Sequence, residues 1–256
     1  MRKYYSVQKI SVVLCILLLT TVFTGILYAQ NEGTDQQVYQ VLSVQIKPGM
    51  DMEFEQFIQS IMPALKEMGI PELSTSKTGN FGVADKYSFL MPLQDPAAMD
   101  AELSASQENV PIWAVSMSSA MQRMASSVRS YMLIPRPDLG EMWEDGYQWK
   151  LASDLRIGVA PGREQEFEKA LKEAVAVIKK TNIKALLIGK TGLGGDMNEY
   201  EVAVFYDSYK DMLANGPKIQ TELAAANLTP MTGIVYSVDN EVIVNVPELS
   251  IQPAAQ

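Results

Sequence analysis

The chain repeats itself. Lys77-Thr78-Gly79 recurs as Lys190-Thr191-Gly192, 113 residues further on. The same step carries Pro48-Gly49 onto Pro161-Gly162 and Glu53-Phe54-Glu55 onto Glu166-Phe167-Glu168. It also carries Tyr87 onto Tyr200 and Met99 onto Met212. A period this long is several times that of a solenoid unit. Each copy is therefore expected to be a whole domain-sized unit, and the 256-residue chain a fused pair.

Within each copy the hydrophobic period alternates between two and 3.6. Val38–Lys47 places Val38, Gln40, Leu42, Val44 and Ile46 on one face, and Tyr39, Val41, Ser43 and Gln45 on the other. That pattern predicts a strand, closed by Pro48-Gly49. Phe54, Phe57, Ile58, Ile61, Met62, Leu65 and Met68 follow at helical spacing. The second copy keeps the stripe as Phe167, Ala170, Leu171, Ala174, Val175 and Ile178. Pro63 is expected to kink or shorten the first of these helices, and its counterpart Ala176 is not.

Short strands are predicted at Glu72–Lys77 and Lys184–Lys190. Glycine turns at Thr78–Gly82 and Thr191–Gly195 lead to further strands at Lys86–Met91 and Glu199–Tyr206. Asp95-Pro96 and Ser208 read as starts of second helices. Pro111 and Asn215-Gly216-Pro217 are expected to break them. Final strands are predicted at Val128–Ile134 and Val242–Val246, each followed by proline, an acid and leucine.

The order is strand, helix, strand, strand, helix, strand, twice. That is the ferredoxin-like βαββαβ unit, an α+β fold. Helices on one face leave the other face of each four-stranded sheet bare, and two such sheets in one chain cover each other most simply. The strand ending in Pro-Gly, followed by a helix opening with Glu-Phe-Glu, resembles the dimeric α+β barrel superfamily. That group includes antibiotic-biosynthesis-type monooxygenases and NIPSNAP-like proteins. The resemblance spans residues 38–139 and 147–249 and implies two tandem ferredoxin-like repeats forming an intramolecular barrel. It implies a fold shared by oxygenases, isomerases, haem enzymes and proteins without an assigned reaction, and no particular activity.

Residues 1–29 read as a signal peptide. Arg2, Lys3 and Lys9 precede an apolar run from Ile10 to Leu27, and Leu27-Tyr28-Ala29 offers a cleavage site. The competing reading is an uncleaved anchor, since the run is nearly long enough to span a bilayer. Cys15, the one cysteine, sits mid-run after the bulky Leu14 and does not suit a lipoprotein site. The expected location is periplasmic or secreted, with no stable membrane insertion once the signal is removed. The mature chain then has no disulfide and stands on its apolar cores. Loss of the three signal cations takes the formal charge from −9 to −12. So acidic a chain does not attract nucleic acid, whose affinity for proteins comes largely from Lys and Arg. The polar stretches Gln30–Gln37 and Ser250–Gln256 are expected to be loose ends.

Histidine is absent. Imidazole-based zinc or copper sites and Ser–His or Cys–His pairs are therefore excluded. Haem-binding branches of the resembled superfamily use a proximal histidine, so the resemblance does not extend to them. No cofactor and no metal is implied. Acid–base chemistry would fall to Asp, Glu, Lys or Tyr. Met117, Met121 and Met124 at helical spacing suit either Cu(I) or ordinary core filling, and the latter is the commoner use.

The candidate ligand-binding residues are Asp154, Arg156, Tyr87, Tyr200 and Trp149. Asp154 and Arg156 share one face of the second copy's first strand, where the first copy has Val41 and Ser43. They would anchor a small ligand, or form an ion pair that sets how the halves dock. Tyr87 and Tyr200 would hydrogen-bond a substrate oxygen, or simply pack as strand tyrosines. Trp113, Trp143 and Trp149 would line a cleft, or be buried where the halves meet. Two short motifs mislead. Ser74-Thr75-Ser76-Lys77 overlaps Lys77-Thr78-Gly79, whereas penicillin-binding enzymes hold the matching motifs far apart. Gly192-Leu193-Gly194-Gly195 joins strands and opens no helix, so it is no dinucleotide loop.

The function expected from these residues is binding of a small apolar or aromatic ligand in a cleft between sheet and helices. One alternative is a cofactor-independent monooxygenase or isomerase pairing Tyr200 with Asp154 or Arg156. Another is a structural or partner-binding protein. A homo-oligomer is compatible with all three.

Overall fold

A computed structural model of the chain describes residues 37–67, 70–93, 119–144 and 147–252. The expected signal at 1–29, the stretch 30–36, Met68, Asp95-Pro96, Met99, Pro111, Trp113 and Met117 lie outside the described residues.

The first half runs β1 (Tyr39–Ile46), α1 (Asp51–Glu67), β2 (Ser74–Thr78), β3 (Lys86–Pro92) and β4 (Ala125–Pro135). A 3₁₀ turn at Pro137–Leu139 and a two-residue strand, β5 (Met142–Trp143), lead into the second half. That half runs β6 (Leu151–Val159), α2 (Glu164–Ile178), β7 (Ala185–Thr191), β8 (Glu199–Tyr206), α3 (Tyr209–Ala225) and β9 (Val235–Asn245), then a second 3₁₀ turn at Pro247–Leu249.

Every strand pairing is antiparallel, and the order is β4-β1-β3-β2-β9-β6-β8-β7, with β7 pairing back to β4. Eight strands thus form a closed barrel, and β5 pairs with the start of β7, on the same edge that β4 takes further along. The two seams where the halves meet correspond residue by residue. Thr78 faces Ile243 and Lys77 faces Val244 at one seam. Thr191 faces Leu133 and Lys190 faces Ile134 at the other. The expected units 38–139 and 147–249 are therefore not separate bodies but contribute four barrel strands each.

Helices cover the outside of the barrel. Phe54, Ile58 and Met62 of α1 pack on Val44, Ile46, Tyr87 and Phe89. Phe167, Leu171 and Val175 of α2 pack on Ile157, Val159, Tyr200 and Val202. Pro63 does not shorten α1, which runs 17 residues against 15 for α2. Its ring lies on the exposed side, where water replaces the lost backbone bond. Asn215-Gly216-Pro217 likewise does not break α3. Pro217 is exposed, and buried Asn215 donates to Asp211 Oδ1 at 2.6 Å from one turn back. Ser208 caps α3 as expected, its hydroxyl accepting from Asp211 N at 3.1 Å. Ser208→Ala is expected to cost about 1 kcal/mol, read as a lowered denaturation midpoint with an unchanged urea slope.

β4 and β9 are each 11 residues long and begin well before the positions predicted for them. Their early residues, such as Ser126–Arg129 and Tyr236–Asn240, are exposed and carry no clean alternation of polarity. Nor is the end of the described chain loose. The turn after each final strand crosses to the other half. Leu139 is buried in the second half's core, whereas Leu249 and Ile251 are buried in the first half's. Ile251 pairs with Leu73, and Thr75 N donates to Ser250 Oγ at 3.0 Å. Met124 is buried in the same first-half core, with Met121 packed against it, so these thioethers fill space.

Candidate functional site

The strand alternation sends neighbouring side chains to opposite faces of the barrel wall. Tyr200 points outward to α2, its ring centroid 4.8 Å from that of Phe167 and its hydroxyl donating to Glu168 Oε1 at 2.7 Å. Glu201, one residue on, stands opposite Arg156 and faces inward with it. Tyr200 is therefore separated from Asp154 and Arg156 by the thickness of the sheet. The constellation that would have joined them in one pocket does not exist, because residues 200 and 201 cannot share a face.

Tyr87 repeats the outward arrangement in the first half. Its hydroxyl donates to Asp51 Oδ1 at 2.5 Å and Glu55 Oε1 at 2.6 Å, and its ring centroid is 4.9 Å from that of Phe54. Lys77 completes the set, 2.6 Å from Asp51. Burial raises the Tyr87 hydroxyl pKa, and the two acceptors raise it further. Burial also works against the Asp51 charge, but the bonds from Lys77 and Tyr87 outweigh it and hold that carboxyl below its ordinary range. In the second half Arg136 does what Lys77 does in the first. It chelates Asp138 at 2.8 and 2.9 Å and bonds Glu168, which lowers the Glu168 pKa. Both phenols are hydrogen-bond donors locked onto carboxylates, which suits fastening a helix to a sheet. It does not suit taking a proton at neutral pH.

The barrel interior is divided along its axis. At one end Ala152, Ala185 and Phe205 are buried together, with Leu187, Ala203 and Ile243 against them. Trp149 packs edge-on against Phe205, centroids 5.3 Å apart, and Trp143 does so from 5.2 Å. Trp149 is thus part of an apolar plug made by residues of the second half. It shares no pocket with Tyr87 or Tyr200.

Next along the axis the interior is charged. Asp154 and Arg156 from β6 meet Glu201 and Glu199 from β8, Glu241 from β9, Lys86 from β3, and Arg129 and Tyr131 from β4. Lys86 is bonded to Glu241, with the two side chains 12% and 13% exposed. Arg129 Nη2 lies 3.5 Å from Glu199. Tyr131 donates to Glu201 at 2.5 Å and accepts from Arg156 Nη2 at 3.3 Å. Arg156 Nε sits 3.6 Å from Glu201 and 3.9 Å from Asp154, and makes no hydrogen bond. Burial, then repulsion from Glu201, pushes the Asp154 carboxyl pKa up to about 7, against the pull of Arg156 and Lys86.

Of the five nominated residues, Asp154 and Arg156 come together, and Tyr87, Tyr200 and Trp149 each lie elsewhere. Lys86, Glu201, Glu241, Arg129 and Tyr131 were not nominated. The available signal was a charged residue at alternate positions of a strand whose other face is apolar, as in Glu199-Tyr200-Glu201-Val202. The first half supplies donors to this network (Lys86, Arg129, Tyr131) and the second supplies the acids. The docking reading of Asp154 and Arg156 fits that division.

Among the described residues, the sheet–helix layer is occupied by the Phe54–Tyr87 and Phe167–Tyr200 ring pairs rather than an apolar cleft. A hollow of about 460 Å³ lies along α2, lined by Gln165, Glu168, Lys169, Lys172 and Glu173, and it is charged. No group of three or more acid, Cys or His side chains suited to a metal occurs among the described residues.

No protein-family model matches the chain, and no curated protein does. Solved structures do match in fold. A candidate monooxygenase from Lactobacillus acidophilus NCFM aligns with TM-score 0.54 at 12% identity, over 82% of this chain and 94% of that one. An anthrone oxidase-like protein aligns with TM-score 0.59 at 9% identity, over 83% and 92%. A chlorite dismutase from Candidatus Nitrospira defluvii aligns with TM-score 0.52 at 8% identity, over 84% and 93%. These neighbours belong to the dimeric α+β barrel superfamily, and the chain shares their fold: α+β, with an eight-stranded antiparallel barrel.

Proposed function

We propose that this is an exported, non-catalytic binding protein for a small apolar or aromatic ligand. We further propose that it is built from two tandem ferredoxin-like βαββαβ units closed as an intramolecular dimeric barrel. One observation carries the non-catalytic reading. Among the described residues, the tyrosines and most of the carboxylates capable of acid–base chemistry are spent on one another, and the two groups that Asp154 would need, Tyr87 and Tyr200, stand on the other face of the barrel wall. Correspondence of the two seams supports the tandem origin. Exposed apolar side chains border β9: Phe81 and Val83 in the loop beside it, Tyr236 and Val238 on it. They give such a ligand surface to contact.

The neighbours named for oxygenase activity favour a second reading, a cofactor-independent monooxygenase. Two measurements on the purified chain separate the readings. A thermal-shift screen of small aromatic and aliphatic compounds is expected to raise the melting temperature for some of them. Dioxygen uptake with anthrone as substrate is expected to equal the protein-free rate. Uptake above that rate replaces the binding reading with the enzymatic one. A screen without any shift removes the small ligand and leaves a partner-binding or structural role.

A further inference from the structure

The charges inside the barrel do not balance. Three carboxylates lie in the sheltered part of the polar section, Asp154, Glu201 and Glu241, against two cations, Lys86 and Arg156; Arg129, 41% exposed, pairs with Glu199 towards the open end, where Asp239 is exposed as well. Each cation except Arg156 is committed to one acid: Lys86 to Glu241 and Arg129 to Glu199. Arg156 is shared. Its Nη2 donates to Tyr131, whose hydroxyl donates in turn to Glu201, so the stronger side of the arrangement belongs to Glu201. Asp154 keeps only the 3.9 Å approach of Arg156 Nε, which is too long for a hydrogen bond.

Asp154 is also hemmed in on every side. Glu241 stands directly opposite it on β9, with Asp239 two residues further along at the exposed end. Glu201 lies on β8, Arg156 on its own strand, Lys86 on β3, and Tyr131 and Arg129 on β4. Its side chain is 10% exposed. A carboxylate buried among other carboxylates, without a cation of its own, is most cheaply held neutral.

We propose that the barrel interior is a proton-binding site, with Asp154 gaining and losing one proton in the folded protein around neutral pH. Solvent supplies that proton and takes it back. Binding it leaves two sheltered carboxylates facing two cations, a neutral set. Releasing it puts an uncompensated negative charge in the barrel interior. The barrel is therefore tightest on the acid side of neutrality and loosens as the solution turns alkaline.

The sign follows from linkage. The folded carboxyl lies above its unfolded value, so folding takes up a proton between the two. Stability from this group is complete below the unfolded value, near ~4. It is lost as pH rises towards the folded value, and one proton limits the fall in the folding equilibrium constant to about tenfold per pH unit.

The test uses the full chain and Asp154→Asn. Urea unfolding from pH 5 to pH 9 is expected to show the folding constant of the parent falling more steeply between pH 5 and pH 7 than that of the variant. The amide keeps the shape and carries no charge to release, so the variant overtakes the parent above pH 8. Carbon NMR of the Asp154 carboxyl in the parent is expected to show titration near neutrality. A carboxyl resonance that finishes titrating below pH 5, or parallel stability profiles in the two proteins, overturns the proposal. If the variant does not fold, the parent's carboxyl titration decides alone.

Discussion

Ending the chain at Asn245 is expected to abolish the native fold, although every barrel strand remains. The removed stretch carries Leu249 and Ile251, 1% and 5% exposed in the first half's core. It also carries five ties to β2 and the residues before it, among them the Thr75 hydroxyl donating to Leu249 O. Val246 N donates to Thr75 O at 2.9 Å, and Thr75 N to Ser250 Oγ at 3.0 Å. Leu73 and Ile251 exchange backbone bonds of 3.0 and 2.8 Å. Losing a buried Leu or Ile costs about 2–5 kcal/mol. Two such losses consume most of the roughly 5–15 kcal/mol that holds a domain folded. The truncated chain is expected to lose its near-UV dichroism and bind a hydrophobic dye at 25 °C. A cooperative melt at the parent temperature refutes this. Leu249→Ala is the graded version, and about 2–5 kcal/mol in urea unfolding is expected for it.

The second large effect lies inside the barrel. Glu241→Ala strands Lys86, whose side chain is 12% exposed and bonded to that carboxylate. Removing one partner of a buried pair costs about 3–5 kcal/mol; for Glu241→Ala the low end of that range is expected, because Asp154, directly opposite on β6, remains near Lys86 as a second counter-ion. Lys86→Met alone strands Glu241 in the same way. The double variant Lys86→Met with Glu241→Met removes both charges and keeps the volume, so it is expected to regain most of the loss. Urea unfolding of the four proteins closes the cycle. Additive losses in the double variant would mean that the pair is solvated and does not join the halves.

Half of this architecture was legible because the repeat made it so. The match of Glu53-Phe54-Glu55 to Glu166-Phe167-Glu168 placed α1 and α2, and their apolar stripes named the residues that are buried. β8 matches its predicted bounds to the residue: Glu199-Tyr200-Glu201-Val202 alternates, the apolar run continues to Tyr206, and Asp207-Ser208 closes it. The final strands were shortened because their first residues are exposed on both faces, which leaves no period to read. Pro63 does not shorten α1 and Pro217 does not break α3, since a proline's cost depends on whether water can reach the freed carbonyl. That is a property of the surface and not of the local sequence.

The interior network was the least legible part. Asp154 and Arg156 were visible as charges on a strand. Their partners Lys86, Tyr131 and Glu241 come from three other strands, 68, 23 and 87 residues away from Asp154. Register decides such meetings, and a shift of one residue would have sent every one of them outward. The same rule separated Tyr200 from Asp154. Both are polar residues of the second half, and only the parity of their positions shows that they cannot meet.

The crossing of the two end turns also sets an order of events. Leu73 must wait for Ile251, 178 residues later, before its pairing exists. The growing chain can make α1 and the β1–β3 pairing early, but the first half remains unsealed until Ile251 has been synthesised. Contacts this distant in sequence slow folding. The second half has its seal, Leu139, in hand before its own strands emerge, so the first half to be made is the last to be closed.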